Sequence, residues 1–297
     1  MASDPRSSDF SLRQFGRTID DAKLERPTPD SSLSVGRPGR EFCIYQSDIG
    51  YELQEELDFL SRRVMEPNVF FTARVLVPAM PRIDDRSLRF ALIRDENEQR
   101  SRMRLLMPFS VEKPGFAVGP SVLRIWANMF GPLGTPLVDA EHSAETIENL
   151  LTALANPDLR LPRVLVLPEL RLNGMFARTL RTIALSQDLP VAFSDQYSRP
   201  ILNSTLDGEA YLRASLGPHH RRDMARQWRS LERLGELDYI VARNPDDVQI
   251  QLEEFLTLEA KGWKGRKRSA LVSDRFRAAF TREAVANLAE VDGVRIH

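Results

Sequence analysis

Four arginines recur at helical spacing between Gly217 and Leu234: Arg222, Arg226, Arg229 and Arg233. At roughly 100° per residue they fall within about 60° of one another. Met224, Trp228 and Leu231 fall on the opposite side. The pattern predicts a helix with an apolar back docked on a core and a cationic front offered to an anionic ligand. The competing reading is a solvated face neutralised by acids such as Asp223 and Glu232. A second basic group follows in the phrase EEFLTLEAKGWKGRK, where Lys261, Lys264, Arg266, Lys267 and Arg268 surround Trp263. These cations together with the arginine stripe are candidates for holding phosphates, and a surface loop is the alternative. Trp263 would stack on a sugar or an adenine ring, or else plug a gap between helix and sheet.

Two carboxylates stand out for proton transfer. Glu259 precedes the Gly-Trp turn and is expected near a helix end, where a positioned carboxylate can act as a general base. The alternative is a surface Glu paired with a Lys or Arg one turn away. Asp139 lies with Glu141 beside the Gly/Pro loop GPLGTPLVDAEH, and functional carboxylates concentrate on such connections. Capping and helix-dipole roles near Ser143 explain the pair equally well. The histidines offer less. His219 and His220 are adjacent, so they point about 100° apart on a helix and cannot chelate one metal by themselves. His142 and His297 have no motif around them, and no Cys/His or HExxH spacing occurs, so no metal is expected.

The elements that must position these groups read as α/β. Strands are expected at EFCIYQ, LRFALIRD, RMRLLMPFSV, VLRIWANM, PRVLVLPEL, LPVAFSD and ELDYIVAR. Helices are expected over 49–64 and 173–187, from Ser143, from Asp207, from Asn244 to about Lys261, and from Ser273 to about Ala289. NVFFTARVLVPAM reads as a turn and short helix closed by Pro78 and Pro81. The alternation of strands and helices predicts a mixed sheet. Residues 1–40 are rich in Ser, Pro, Asp and Arg and predict a disordered tail. A first unit over 41–198 and a second over 199–297 follow, and the closing GVRIH reads as the start of a strand that still needs a sheet. Either the second unit borrows its sheet from the first or it is incomplete, and the incomplete unit is the favoured expectation.

Whole-chain quantities narrow the function. The 41 Lys and Arg balance 42 Asp and Glu, which argues against a dedicated nucleic-acid binder and makes any cationic function local. The single cysteine, Cys43, excludes an intramolecular disulfide and reads as a buried strand thiol. No run of 18 or more apolar residues occurs, and MASDPRSSDF lacks the apolar region of a secretory signal, so a cytoplasmic location is expected.

The order of elements, together with Phe255, Leu256, Leu258, Glu259, Ala260, Gly262, Trp263, Lys264 and Gly265, resembles the cellulose-biosynthesis-associated acetyltransferases. These are FemAB-like members of the GNAT superfamily, built from two GNAT-like halves in tandem. GPLGTPLVD, from Gly131 to Asp139, looks like a secondary signature of the first half. The resemblance spans about residues 41–297. It implies a tandem acyl-CoA N-acyltransferase fold and acyl transfer from acyl-CoA to an amine or hydroxyl of a sugar or cell-envelope polysaccharide. The family's glycine-rich pyrophosphate turn at a helix N-terminus is not found, since prolines remove donors from PGFAVGPS and GPLGTP. In the family that turn belongs to the second half, so the chain ending at His297 is expected to be inactive alone. Two other functions fit the same residues. One is a non-catalytic module binding an anionic glycan or lipid surface through the arginine stripe. The other is a tRNA-dependent transferase of the FemAB-like kind, against which the near-neutral charge weighs.

Overall fold

The computed structural model describes residues 27–83, 86–96, 101–113 and 119–297. The fold class expected from sequence holds: the chain is mixed α/β, built on one seven-stranded sheet. The strands are β1 (Ser31–Ser34), β2 (Arg40–Gln46), β3 (Leu88–Glu96), β4 (Ser101–Glu112), β5 (Val122–Ile125), β6 (Leu137–Val138) and β7 (Leu165–Val166). Their order is β1-β2-β3-β4-β5-β7, with β6 also pairing to β4. All neighbours are antiparallel except β5 and β7, which run parallel. A parallel pair needs a crossover, and α3 (Ser143–Ala155) supplies it.

β3 and β4 carry nearly continuous apolar runs because both faces of the sheet are covered. On one face α1 (Gln54–Ser61) brings Glu56 to the buried Arg94 of β3, at 3.2 Å. On the other face α3 brings Glu145 to the buried Arg40 of β2, at 3.0 Å. Register explains the opposition: Arg40 lies across from Asp95 and Glu41 across from Arg94, one residue apart on each strand. α4 (Met175–Ser186) contacts α3, and the buried Glu66 caps its start by accepting the Phe176 N–H at 3.0 Å. That bond spans 110 residues.

Several expectations are corrected. Residues 31–40 are not a tail, because β1 pairs with β2 and Gly36 and Gly39 turn the chain at positive φ. Residues 1–26 lie outside the described residues. Pro78 and Pro81 do not close α2 but sit inside it, over Ala73–Ile83. Each proline removes an N–H and normally costs about 3 kcal/mol in a helix interior. Burial of Val75, Leu76, Val77, Ala79 and Met80 offsets that cost, and Arg82 Nη1 takes the Pro78 carbonyl at 2.9 Å. LPVAFSD forms no strand, PRVLVLPEL contributes only β7, and ELDYIVAR contributes only the isolated bridge Ala242–Ile296. Outside β7 and the Ala242 bridge, these segments have the composition of strands but pair with no strand among the described residues, and Phe193, Tyr239 and Ile240 remain exposed.

Beyond residue 207 the chain is helical: α5 (Gly208–Ser215), α6 (Pro218–Glu232), α7 (Pro245–Lys261), the short α8 (Trp263–Arg266) and α9 (Arg275–Ala289). Asp207, Asn244 and Asp274 cap α5, α7 and α9 through their side chains. α9 is the bridge between the two expected units. Its Phe280 and Ala284 join the main core against α2, while Ala289 packs with Ala242 and Val248 in a small second core. Arg82–Glu283 at 2.7 Å and Arg74–Glu290 at 3.2 Å flank the same seam.

Candidate functional site

The turn from α7 through α8 to α9 is fixed by several interlocking backbone and side-chain contacts. α7 ends where Gly262 donates to the Glu259 carbonyl, and the chain re-enters a helix at once at Trp263. The new turn crosses the old one so closely that a Cβ on Gly265 would be driven into the Ala260 carbonyl. Arg268 then adopts a positive φ of 55°, and Ser269 N–H returns to the Lys264 carbonyl at 2.9 Å. Glu259 staples this corner. Its Oε1 accepts from Lys264 Nζ at 2.7 Å and its Oε2 from the Leu271 N–H at 2.7 Å. The Lys264 hydrogen bond, followed by that of Leu271, holds the Glu259 carboxyl below the usual carboxylate range. Both oxygens of the expected base are therefore occupied while the corner is in this state.

Trp263 does not plug the interior. It is 58% exposed, and Lys267 Nζ lies 5.4 Å from its ring centroid. The corner thus presents an exposed aromatic face with Lys267 over it, in a segment that also carries Lys261, Lys264, Arg266 and Arg268. Among the described residues, Lys264 is the only one of these five cations that forms an ion pair.

The arginines expected to act with this group lie elsewhere. Arg222, Arg226 and Arg229 stand on α6, and no hydrogen bond or ion pair among the described residues joins them to the corner. The apolar back of α6 is not docked, since no residue of the helix is buried. His219 and His220 meet edge to face in its first turn, with ring centroids 5.7 Å apart. No cluster of His, Cys, Asp and Glu suited to a metal occurs among the described residues.

Asp139 occupies a different site, at the end of β6. It is buried, and its Oδ2 meets Arg102 at 2.7 Å, Arg104 at 3.4 Å and Arg63 at 3.7 Å. Its Oδ1 accepts the Glu141 N–H at 2.9 Å. Arg104 also bonds Asp95 at 2.6 Å, and Asp95 receives Arg37 and Arg40. The register passes from Ile93–Leu105 to Arg94–Met103, so Arg104 is the extra residue of a β-bulge, aimed at the carboxylates. Burial alone would raise the Asp95 carboxyl, but hydrogen bonds from Arg40, Arg37 and Arg104 outweigh it and hold it down at about 2. Arg104 likewise holds Glu141 down against partial desolvation. Sequence reasoning missed this network of Arg37, Arg40, Arg63, Arg102 and Arg104 with Asp95, Asp139, Glu141 and Glu145. The alternate arginines of RMR on β4 were the available signal. α3 begins with His142 in the left-handed region and Ser143 as its first residue, so Ser143 is not the N-cap. Asp139 and Glu141 precede that helix and Glu145 lies in its first turn, a carboxylate-rich start that opposes an anion there. On β2, Cys43 is buried and its thiol is pushed up to about 11 by desolvation, which removes it as a nucleophile near neutrality.

With this geometry in hand, comparison with protein families is informative. Residues 218–297 match the acetyltransferase (GNAT) domain model. The matched stretch contains α6, the whole α7–α8–α9 corner and both expected basic groups, and it supports the GNAT superfamily for this part of the chain. The mixed α/β sheet is consistent with an acyl-CoA N-acyltransferase-like fold. No curated protein and no solved structure matches the chain. No helix of the described residues is long and apolar enough to cross a membrane.

Proposed function

We propose that the chain is a GNAT-type acyltransferase, moving an acyl group from acyl-CoA to an amine or hydroxyl of a sugar or cell-envelope polysaccharide, with the α7–α8 corner as its donor site. The observation that carries this reading is an exposed Trp263 with Lys267 over its ring, in a cation-rich segment inside the stretch that matches the GNAT domain. Lys264 and Lys267 meet the donor's phosphates, and Trp263 stacks on the adenine or on a sugar ring. The α6 arginines are left out of the donor site, because no hydrogen bond or ion pair among the described residues joins them to the corner.

Glu259 gains its role from its partner. When Lys264 turns to a phosphate, Glu259 loses the hydrogen bond that chiefly holds its carboxyl down, and its affinity for a proton rises. With the donor's pantetheine arm folded back over the corner, it then takes the proton from the acceptor nucleophile as that atom attacks the thioester carbon, the C–S bond breaks and CoA leaves as its thiolate. Asp139, fixed among arginines, positions the β4–β6 end of the sheet in this scheme. The test is release of free thiol from acetyl-CoA in the presence of amino-sugar and polysaccharide acceptors. Acceptor-dependent release that falls at least about tenfold in Glu259→Gln is expected. Release independent of acceptor and of Glu259 would refute the assignment.

One observation favours a second reading, a non-catalytic anion- or glycan-binding module: the oxygens of both candidate carboxylates are already engaged. Under that reading acyl-CoA or an anionic glycan binds at the corner with no thiol release at all.

A further inference from the structure

α6 is a helix with two developed faces, and neither is covered. Met224, Trp228 and Leu231 are 47%, 51% and 51% exposed along one side. On the other side Arg226 pairs with Asp223 at 2.5 Å. Among the described residues the Arg222 side chain bonds only the Pro218 carbonyl and that of Arg233 only Ser230 Oγ, both within α6 and its cap. Arg229 has no carboxylate within ion-pair reach among the described residues, and Arg226, Arg229, Glu232 and Arg233 together border open surface. From Pro218 to Arg233 five arginines face two acids, Asp223 and Glu232, leaving a clear positive excess on a chain that is otherwise balanced. The Trp228 indole N–H is satisfied by Glu232 at 2.7 Å, so its ring edge is polar on one side and bare on the other.

A soluble anion would use the arginines and leave the apolar side without purpose. It would also expect donors from more than one element, and here a single helix supplies them all. A flat anionic bilayer uses both sides at once. Phosphates of the headgroups take the guanidinium groups, while Met224, Trp228 and Leu231 reach the boundary with the acyl chains. The helix is long enough to lie in that plane, about 22 Å for its fifteen residues. We propose that α6 is a membrane-surface helix, docking the protein on a bilayer rich in anionic lipid with its axis in the interface. This goes beyond the acyltransferase reading and does not rest on it.

The test is sedimentation of the full chain with vesicles of phosphatidylcholine alone and of phosphatidylcholine mixed with phosphatidylglycerol. Binding to the anionic vesicles, weakened by salt, is expected. Each of two paired changes, Arg222→Glu with Arg229→Glu and Trp228→Ser with Leu231→Ser, should weaken it at least about tenfold. All four side chains are exposed, so unchanged thermal unfolding separates lost docking from lost folding. In a Trp263→Phe background, brominated acyl chains should quench Trp228. Failure to sediment with anionic vesicles overturns the proposal. So does binding that Trp228→Ser with Leu231→Ser leaves intact, or vesicle-free self-association that those changes abolish, which would give the face to a second copy. Acetyl-CoA titration of the two paired α6 variants, with Trp263 kept, distinguishes this proposal from the donor site, and it should not change.

Discussion

Glu259 and Gly265 act on each other through the path of the chain. The close crossing of α7 and α8 demands glycine at 265, and the crossing brings Lys264 and the Leu271 N–H onto one carboxylate. Replacing Glu259 by Ala strands a lysine and a part-buried N–H, with an expected loss of roughly 1.5–3 kcal/mol in denaturant unfolding. Gly265→Ala should cost at least as much, since backbone rather than a movable side chain blocks the new methyl. A second residue-scale prediction concerns acid. The folded pKa of Asp95, about 2, lies below its unfolded value of about 3.9, so its stabilisation is complete above pH 4 and lost as pH falls through 2. Asp95→Asn should flatten that part of the stability–pH profile and cost roughly 1.5–3 kcal/mol at neutral pH, because the fully buried Arg40 then keeps only Glu145 as a carboxylate partner. Sequence placed Glu259 correctly at a helix end beside a lysine. It could not show that Leu271, twelve residues on, completes the coordination, because that depends on the crossing.

At the scale of elements, α9 decides whether the C-terminal helices belong to the sheet domain. Phe280 packs on Phe130 at 5.8 Å between centroids and enters the main core, while Arg82 and Arg74 hold the helix flanks. Phe280→Ala should destabilise the protein by about 3–4 kcal/mol and loosen α7–α9 as a unit, seen as faster hydrogen exchange in those helices than in β3 and β4. The helices were legible where caps and periodicity agreed, as at Asn244–Pro245 and Asp207. The hairpin of β3 and β4 was legible from its apolar runs. Two kinds of element were not. α2 contradicts its own prolines because tertiary burial outweighs local propensity. Phe193, Tyr239 and Ile240 sit in strand-like sequences, yet strand formation needs a partner edge that composition does not supply.

For the whole molecule, charge is balanced overall and sharply divided locally. A buried network of arginines and carboxylates ties β2, β3, β4, β6 and α3 together. Two separate cationic surfaces, α6 and the α7–α8 corner, remain open. The sequence predicted a cationic function that is local, and it grouped the two surfaces because they are neighbours along the chain. Folding sets them on different elements, which is why one group of candidate residues became two proposals. The donor site is the central one, and equilibrium titration with acetyl-CoA tests it most directly, using the full chain beside a Trp263→Ala, Lys267→Ala variant. Saturable binding that weakens at least about tenfold in the variant is predicted, while silence, or equal binding by both proteins, would contradict the assignment of the corner.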